Sequence, residues 1–154
     1  MRLSDYLRED LVLHHLAAEG TLETLDAFGA LFESGGHVPS GESAAEALKA
    51  REQTHTTCLG QGVAVPYATF PGLSAPLILV ATAREPIPFG PPDADPVDLF
   101  FVLLSPPGRE GEHIKLLARI CRIAQHPEDL EEVRSAPDAQ YLLEAILKAD
   151  ARHV

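Results

Sequence analysis

The chain has 154 residues and a formal net charge of -11, from 12 Lys+Arg against 23 Asp+Glu. This length suits one domain with a sizeable core, and the 45% hydrophobic and 23% charged content is ordinary for a globular protein. The acidic balance argues against nucleic-acid binding and against electrostatic docking on anionic membranes, because both need a basic surface. A basic protein partner remains open.

Neither a membrane segment nor a secretion signal is expected. The longest run of large apolar residues, 99–104, is far shorter than the roughly 20 residues of a spanning helix. Residues 1–10 carry mixed charge and no apolar segment of their own. Cys58 and Cys121 are the only cysteines, which fits a reducing cytoplasm, although one disulfide is an open alternative. We therefore expect a cytoplasmic protein.

The first predicted elements are a strand and a helix. Residues 11–16 are mostly apolar and are predicted to form a strand. The helix begins at Thr21, a good N-cap, and ends at the glycine pair 35–36. Its predicted buried stripe recurs at intervals of three and four residues and consists of Leu22, Leu25, Phe28, Leu31 and Phe32.

A second helix and a polar segment follow. Ser40 or Ser43 is predicted to cap the helix, which reaches about residues 51–52. Residues 53–58 include three threonines and are predicted to be extended or turning.

The stretch 59–72 is the segment on which the functional interpretation depends. Gly60 and Gly62 allow a tight backbone with positive φ before a short strand, 63–65. Pro66 cannot donate a ladder hydrogen bond, so pairing should lapse there or lie on a sheet edge. Tyr67 is therefore expected at a sheet margin that faces a cleft.

Two further strands are predicted in the middle of the chain. Residues 77–82 form a continuous apolar run, which is typical of a strand covered on both faces. Residues 85–96 contain five prolines and a glycine and are predicted to form a loop. Residues 97–104 give the strongest strand pattern, and we expect that strand to be central.

Helices are predicted to close the chain. A largely buried helix spans residues 110–125, a short helical turn spans 127–133, and a last helix starts at Pro137 or Asp138. Residues 150–154 are expected to be frayed. The apolar faces of the first and last of these helices are predicted to include Ile114, Leu116, Leu117, Ala118, Ile120, Cys121, Ile123 and Ala124, and then Tyr141, Leu142, Ala145, Ile146 and Leu147.

This order of elements predicts an α/β (α+β-like) fold, a single mixed β-sheet of about five strands sandwiched between helices, with residues 1–154 as one domain. The connection from residue 69 to residue 77 is too short for a parallel crossover. The strands on either side of it should therefore run antiparallel if they are adjacent.

Five short segments together resemble one protein family, in order and in spacing. The resemblance is to the enzyme IIA domains of the bacterial phosphoenolpyruvate-dependent phosphotransferase system, of the fructose/mannitol and nitrogen-regulatory type. It covers about residues 3–147 and implies the fold of those domains. The segments are Arg51-Glu52, the run from Thr56 to Pro66, Ile87-Pro88-Phe89, Pro96-Val97-Asp98-Leu99 and Glu112-His113-Ile114-Lys115-Leu116-Leu117.

The resemblance also implies roles for three positions. In that family a histidine follows the proline of this strand and accepts a phosphoryl group from the phosphocarrier protein HPr, and here that position is Tyr67. The family's active-site arginine matches Arg51, and its second active-site histidine matches His113. The resemblance therefore implies a phosphoacceptor position that has lost its histidine.

The chemistry of a phenol disfavours phosphoryl relay through Tyr67. Neutral imidazole, with a pKa of about 6.5, both attacks and leaves readily near neutral pH, whereas a phenol with a pKa of about 10 is only about a thousandth ionised at pH 7. Arg51 could still hold a phosphate oxygen, His113 lies near a helix start that favours anions, and Thr56 or Thr57 could add a hydroxyl. The predicted binding residues are Arg51, Thr56, Thr57, Tyr67 and His113.

Structural roles compete with these functional ones. Tyr67 could simply fill the old pocket with its hydroxyl bonded to His113 or Arg51. Arg51 could be a helix-end charge and His113 a surface or capping histidine. His55 and Cys58 lack a second pair of metal ligands, and Gly60-Gln61-Gly62 lacks a third glycine and a following helix, so neither a metal site nor a nucleotide cofactor is predicted.

Three hypotheses about function follow. The first is a regulatory binding module without phosphoryl transfer through the usual histidine, whose partner would be a regulatory protein such as an HPr-like protein, a transporter or a kinase. The second is an active phosphocarrier that accepts phosphate from HPr on His113 or His55. The third is a small-anion sensor that uses the same cleft. The sequence leaves the oligomeric state and the partner open.

Overall fold

The computed structural model describes residues 2–153 and contains one six-stranded sheet. A single turn of 3-10 helix, Leu3–Asp5, precedes the first strand. The strands are β1 (Leu7–Leu16), β2 (Cys58–Gly60), β3 (Val63–Ala64), β4 (Tyr67–Thr69), β5 (Leu77–Ile87) and β6 (Val97–Ser105). The helices are α1 (Thr21–Ser34), α2 (Gly41–Thr54), α3 (Glu110–Ala124), α4 (Pro127–Arg134) and α5 (Ala139–Arg152). No helix within residues 2–153 is both long enough and apolar enough to span a bilayer.

The sheet is mixed, as the sequence predicts, and its order is β1-β5-β6-β3-β2, with β4 also paired to β6. Strand β6 is central, because β5 pairs antiparallel with it on one side and β3 and β4 pair parallel with it on the other. Strands β4 and β5 therefore run in opposite directions but are separated by β6. The sheet has six strands because the glycine-rich stretch and Pro66 divide residues 58–69 into three short ones.

Side chains of β6 alternate between two cores. One face packs against α1 and α2 and the other against α3, α4 and α5. All six alternating residues are fully buried. They are Phe100, Val102 and Leu104 on the first face, and Leu99, Phe101 and Leu103 on the second.

The long strands extend beyond the predicted ranges. Strand β1 begins at Leu7, four residues earlier than the apolar run, and β5 continues to Ile87. The prediction of a loop from residue 85 is wrong at its start, because a register shift lies between Thr82 and Ile87 and pairing resumes at Ile87 with Val97. A proline is tolerated where a ladder is irregular, so Pro86 does not end the strand.

Several helix predictions also need correction. Leu22, Ile114 and Tyr141 are 58%, 65% and 58% exposed, so they do not belong to the buried stripes assigned to them. Helix α3 is amphipathic and not largely buried. The predicted fraying is wrong for residues 150–152, because α5 runs to Arg152 and Asp150 is buried, whereas Val154 lies outside the described residues.

One of the predicted helix caps needs correction. Ser40 caps α2 by accepting from the backbone N–H of Ser43, which is one of the two predicted caps. Helix α1 is capped instead by Gly20, and the hydroxyl of Thr21 accepts from the backbone N–H of Gly90. The side chain of Thr21 therefore ties the helix start to the loop after β5.

Candidate functional site

The chain approaches the site through a left-handed turn. Gly60, Gln61 and Gly62 all have positive φ, at 89°, 56° and 78°. Arg134 donates to the carbonyl of Gln61 and to Asp98 Oδ1, the latter at 2.9 Å. A Cβ at Gly62 would meet both of these side chains at under 3.0 Å, so the turn needs glycine there for space as well as for conformation.

Pro66 lies in the two-residue gap between β3 and β4. Val65 donates to the carbonyl of Thr57, and the carbonyl of Pro66 accepts from Leu103. Pairing with β6 then resumes at Tyr67, which is the first residue of β4. Tyr67 is nevertheless at a margin, because among the described residues β4 pairs with β6 alone.

Arg51, from the last turn of α2, reaches the side chain of Tyr67. Its Nη2 donates to the phenolic oxygen, and its Cζ lies 4.3 Å from the ring centroid. Its Nη1 donates to the carbonyl of His55 at 3.0 Å and lies 3.3 Å from Thr54 Oγ1. The guanidinium is therefore fixed by the end of its own helix while it holds the phenol.

His113 approaches the same phenol from α3. The ring centroids of His113 and Tyr67 are 4.9 Å apart and the planes are tilted by 59°. His113 Nδ1 is hydrogen-bonded to Ser105 Oγ at 2.7 Å. Burial and then the charge of Arg51 lower the pKa of His113 from 6.5, against a smaller opposing effect of Glu110. The imidazole is therefore held in its neutral form near neutral pH.

The start of α3 is less open to an anion than the sequence suggests. The backbone N–H of His113 already donates to the carbonyl of Arg109 at 3.1 Å. The first turn also carries Glu110 and Glu112, and Tyr6 and Arg109 both bind Glu112. These carboxylates occupy the positive end of the helix dipole.

The two threonines predicted as binding residues have a different partner. Thr57 donates from its hydroxyl to Glu52 Oε1 at 2.6 Å and from its backbone N–H to Oε2 at 2.8 Å. Thr56 Oγ1 donates to the same carboxylate at 3.2 Å. Both hydroxyls therefore brace the exit from α2, next to Arg51. His55 lies between Arg51 and Thr56 in the sequence, and its side chain is exposed.

The arrangement of Arg51, Tyr67 and His113 on this sheet can be compared with known proteins. A sequence model described as "Phosphoenolpyruvate-dependent sugar phosphotransferase system, EIIA 2" matches residues 5–149. The chain belongs to this EIIA family.

Curated relatives carry two kinds of name. A "Nitrogen regulatory protein" of Bradyrhizobium diazoefficiens is 41% identical over 95 residues, 62% of each chain. One of Pseudomonas aeruginosa is 35% identical over 102 residues, 66% of each chain. A "PTS system fructose-specific EIIA component" of Haloferax volcanii is 30% identical over 68% of each chain. The EIIA-family chain thus spans a little under two thirds of the length of the first two relatives.

Solved structures share the whole architecture. The crystal structure of nitrogen regulatory protein IIA-Ntr from Neisseria meningitidis superposes with a TM-score of 0.85 at 26% identity, covering 94% of this chain and 98% of that one. The IIA mannitol structure from Escherichia coli has a TM-score of 0.76 at 20% identity, covering 91% and 98%. The mixed sheet between two helical layers is therefore the fold of this EIIA family.

Two contributors to the site were missed by sequence reasoning. Ser105 directly follows the predicted strand 97–104 and has no predicted role, although it is the hydrogen-bonding partner of His113. Glu52 is predicted only as a helix end and as part of the segment Arg51-Glu52, although its carboxylate accepts from both threonine hydroxyls. The available signal is weak, since each is a polar residue at or near the end of an element and lies within eight positions of a predicted site residue.

The pKa of His113 is expected to respond in opposite directions to two charge deletions. Arg51→Gln removes a cation, so the pKa of His113 should rise towards 6.5, whereas Glu110→Gln removes an anion and should lower it further. Titration of the His113 ring signals by NMR measures both shifts. If both substitutions moved the pKa of His113 in the same direction, the assigned effects of Arg51 and Glu110 would be contradicted.

The same depressed pKa predicts a pH dependence of stability. The unfolded chain binds the His113 proton near pH 6.5, before the native chain does, so the free energy of unfolding should fall as pH drops from 6.5 through the depressed native pKa. Urea unfolding of the native chain and of His113→Gln across that window measures this contribution. In His113→Gln the free energy of unfolding should fall less steeply over the same pH range.

Proposed function

We propose that this chain is a cytoplasmic regulatory module of the nitrogen-regulatory type, whose phosphoacceptor position is occupied by Tyr67 and which acts by contact with a partner protein. The observation that carries the proposal is the engagement of the phenol by Arg51 on one side, next to His113 on the other. In a phosphoryl-accepting site, an arginine so placed would be free to take a phosphate oxygen.

The chemistry of the Arg51 and Tyr67 side chains supports a role without phosphoryl relay. A phenol bonded to a guanidinium is a stable polar pair, and its phosphate ester would be a poor donor for onward transfer. Arg51 is also tied to the carbonyl of His55, which holds the guanidinium beside the phenol. A module built this way would present one fixed state to its partner.

The proposed partner is a protein that distinguishes states of an EIIA surface, such as an HPr-like protein, a transporter or a kinase. The solved complex of enzyme IIAMTL with phosphorylated enzyme IIBMTL is one case in which a protein of this fold docks on a protein partner. We expect the partner of this chain to bind with the same affinity whether or not phosphoenolpyruvate-dependent phosphorylation is active.

The test is incubation of the purified native chain with phosphoenolpyruvate, enzyme I and HPr. We expect no acid-labile phosphate on the chain, since a phenol at position 67 does not carry the relay. An active EIIA protein in the same reaction controls for the competence of the donors. Acid-labile label on the native chain would overturn the proposal.

A second candidate is phosphoryl transfer through His113. Its lowered pKa keeps the imidazole neutral and therefore nucleophilic. If Nδ1–H donates to Ser105 Oγ, the lone pair of Nε2 is available to attack. This candidate predicts label on the native chain that is lost in His113→Ala and kept in His55→Ala. Label lost only in His55→Ala would assign the acceptor to His55 instead.

Small-anion sensing in the same cleft has less support, because an anion would have to displace the phenol from Arg51. Titration with inorganic phosphate, followed by the NMR signals of His113, would reveal such binding.

A further inference from the structure

The residues that flank α4 and α5 form a cluster of metal-ligating side chains outside the site already described. His126 is the residue before α4, Asp129 lies in its first turn, and His153 is the residue after α5. Each offers a ligand atom, and these atoms lie within 4.8 Å of one another. Sequence reasoning missed the cluster because 24 positions separate Asp129 from His153.

Burial and charge distinguish this cluster from a scatter of surface groups. The side chain of Asp129 is 1% exposed, and its Oδ2 lies 2.5 Å from His153 Nε2. The imidazoles of His126 and His153 stack with centroids 3.6 Å apart and planes 7° apart. Their side chains are 35% and 18% exposed, so an ion from solvent can reach them.

The surrounding charges favour a cation. Arg152 donates to the other oxygen of Asp129, which leaves Oδ2 facing the imidazoles. Glu128 lies 3.7 Å from His126 Nδ1, and Glu132 binds Arg152 at 3.3 Å. Arg122 donates to the carbonyl of His153. Three carboxylates therefore stand against two guanidinium groups, and the two imidazoles supply nitrogen ligands.

We propose that His126, Asp129 and His153 form a Zn²⁺ site, with two imidazole nitrogens and one carboxylate oxygen as protein ligands. Two nitrogens and one oxygen are a donor set that zinc accepts in a tetrahedral site, with water in the fourth position. Bonds of about 2.0–2.2 Å place the donors roughly 3.3 Å apart around a tetrahedral ion. To reach that geometry the 2.5 Å contact between Asp129 Oδ2 and His153 Nε2 has to open around the ion, and His126, the most exposed of the three, has to turn out of its stack.

Arg152 has a defined role in this site. Its bond to Asp129 Oδ1 orients the carboxylate so that Oδ2 points to the ion, as hydrogen-bonded carboxylates do around bound metals. An ion held by these three residues links the start of α4 to the end of α5. Zinc would then stabilise the packing of the last helix.

The experiment is thermal unfolding and isothermal titration of the untagged full chain with ZnCl₂ in a non-chelating buffer at neutral pH. We expect one Zn²⁺ per chain and a rise in Tm of about 5–10 °C at a hundredfold excess over the Kd. Co²⁺ in place of Zn²⁺ should give the visible absorption of a tetrahedral site. Chelation should reverse both signals.

Matched variants locate the site. His126→Ala should keep the fold, because His126 is partly exposed, and should abolish the Tm shift. His37→Ala is the control, because His37 also pairs with an aspartate, Asp10, at 2.9 Å, and should leave zinc binding unchanged. No Tm shift in the native chain, or an equal shift in His126→Ala, would overturn the assignment. As an independent second test, His153→Ala should also abolish the Tm shift.

Discussion

Tyr67→His is expected to convert the chain from one that takes up no phosphate into one that is labelled to near stoichiometry by phosphoenolpyruvate, enzyme I and HPr. The substitution places a neutral imidazole at the margin of β4, where Arg51 and His113 already converge. Arg51 is then released from the phenol and free to hold a phosphate oxygen. Acid-labile, base-stable label on residue 67 is the measurement.

Two further variants make the Tyr67→His result specific. Tyr67→Phe removes the hydroxyl without adding a nucleophile and should stay unlabelled. The double variant Tyr67→His with Arg51→Gln should be labelled at least tenfold more slowly, since one charge-assisted contact to the transferring group is worth roughly 1.5–3 kcal/mol. If Tyr67→His takes up no phosphate while its fold is intact, an imidazole at position 67 is not sufficient for phosphoryl transfer in this chain.

Asp150→Ala is expected to lower the free energy of unfolding by about 3–5 kcal/mol, the usual cost of removing one partner from a buried ion pair. Asp150 is 3% exposed and accepts from Arg119 Nε at 2.8 Å and from the backbone N–H of Leu3 at 2.8 Å. The substitution leaves the guanidinium without its anion and the Leu3 N–H without an acceptor. Urea unfolding at pH 7 measures the change.

The control for Asp150 is an ion pair on the surface. Asp26 accepts from Lys49 at 2.6 Å, but its side chain is 59% exposed. Asp26→Ala should therefore cost no more than about 1 kcal/mol, because solvent screens exposed pairs. A loss in Asp150→Ala as small as that in Asp26→Ala would mean that the end of α5 frays, as its sequence position suggests.

Much of the fold can be predicted from sequence because buried residues recur with the period of the strand or helix that contains them. The run at 97–104 predicts the central strand β6, and the alternation of its side chains follows from period two alone. The same reasoning fails at Ile114 and Tyr141, which have helical spacing but face solvent. Periodicity gives the face of a helix, but the extent of that face depends on what packs against it.

Some features of the candidate site could be predicted from the sequence, and others could not. Arg51, Tyr67 and His113 were predicted by the resemblance of their surrounding segments, and they lie together. Thr56 and Thr57 were predicted as binding residues, and their hydroxyls instead brace α2 through Glu52. A hydroxyl forms the hydrogen bond that the backbone brings within reach, and that choice depends on three-dimensional geometry.

The sequence by itself determined the family, the mixed sheet between helices and the presence of a tyrosine directly after Pro66. These features are carried by residue identity and by spacing along the chain, so they can be read in one dimension. Only the tertiary structure decided that Arg51 holds Tyr67, that Asp150 is buried, and that His126, Asp129 and His153 meet. Each of these depends on distances between residues far apart in the chain, which are set by how the helices pack on the two faces of the sheet.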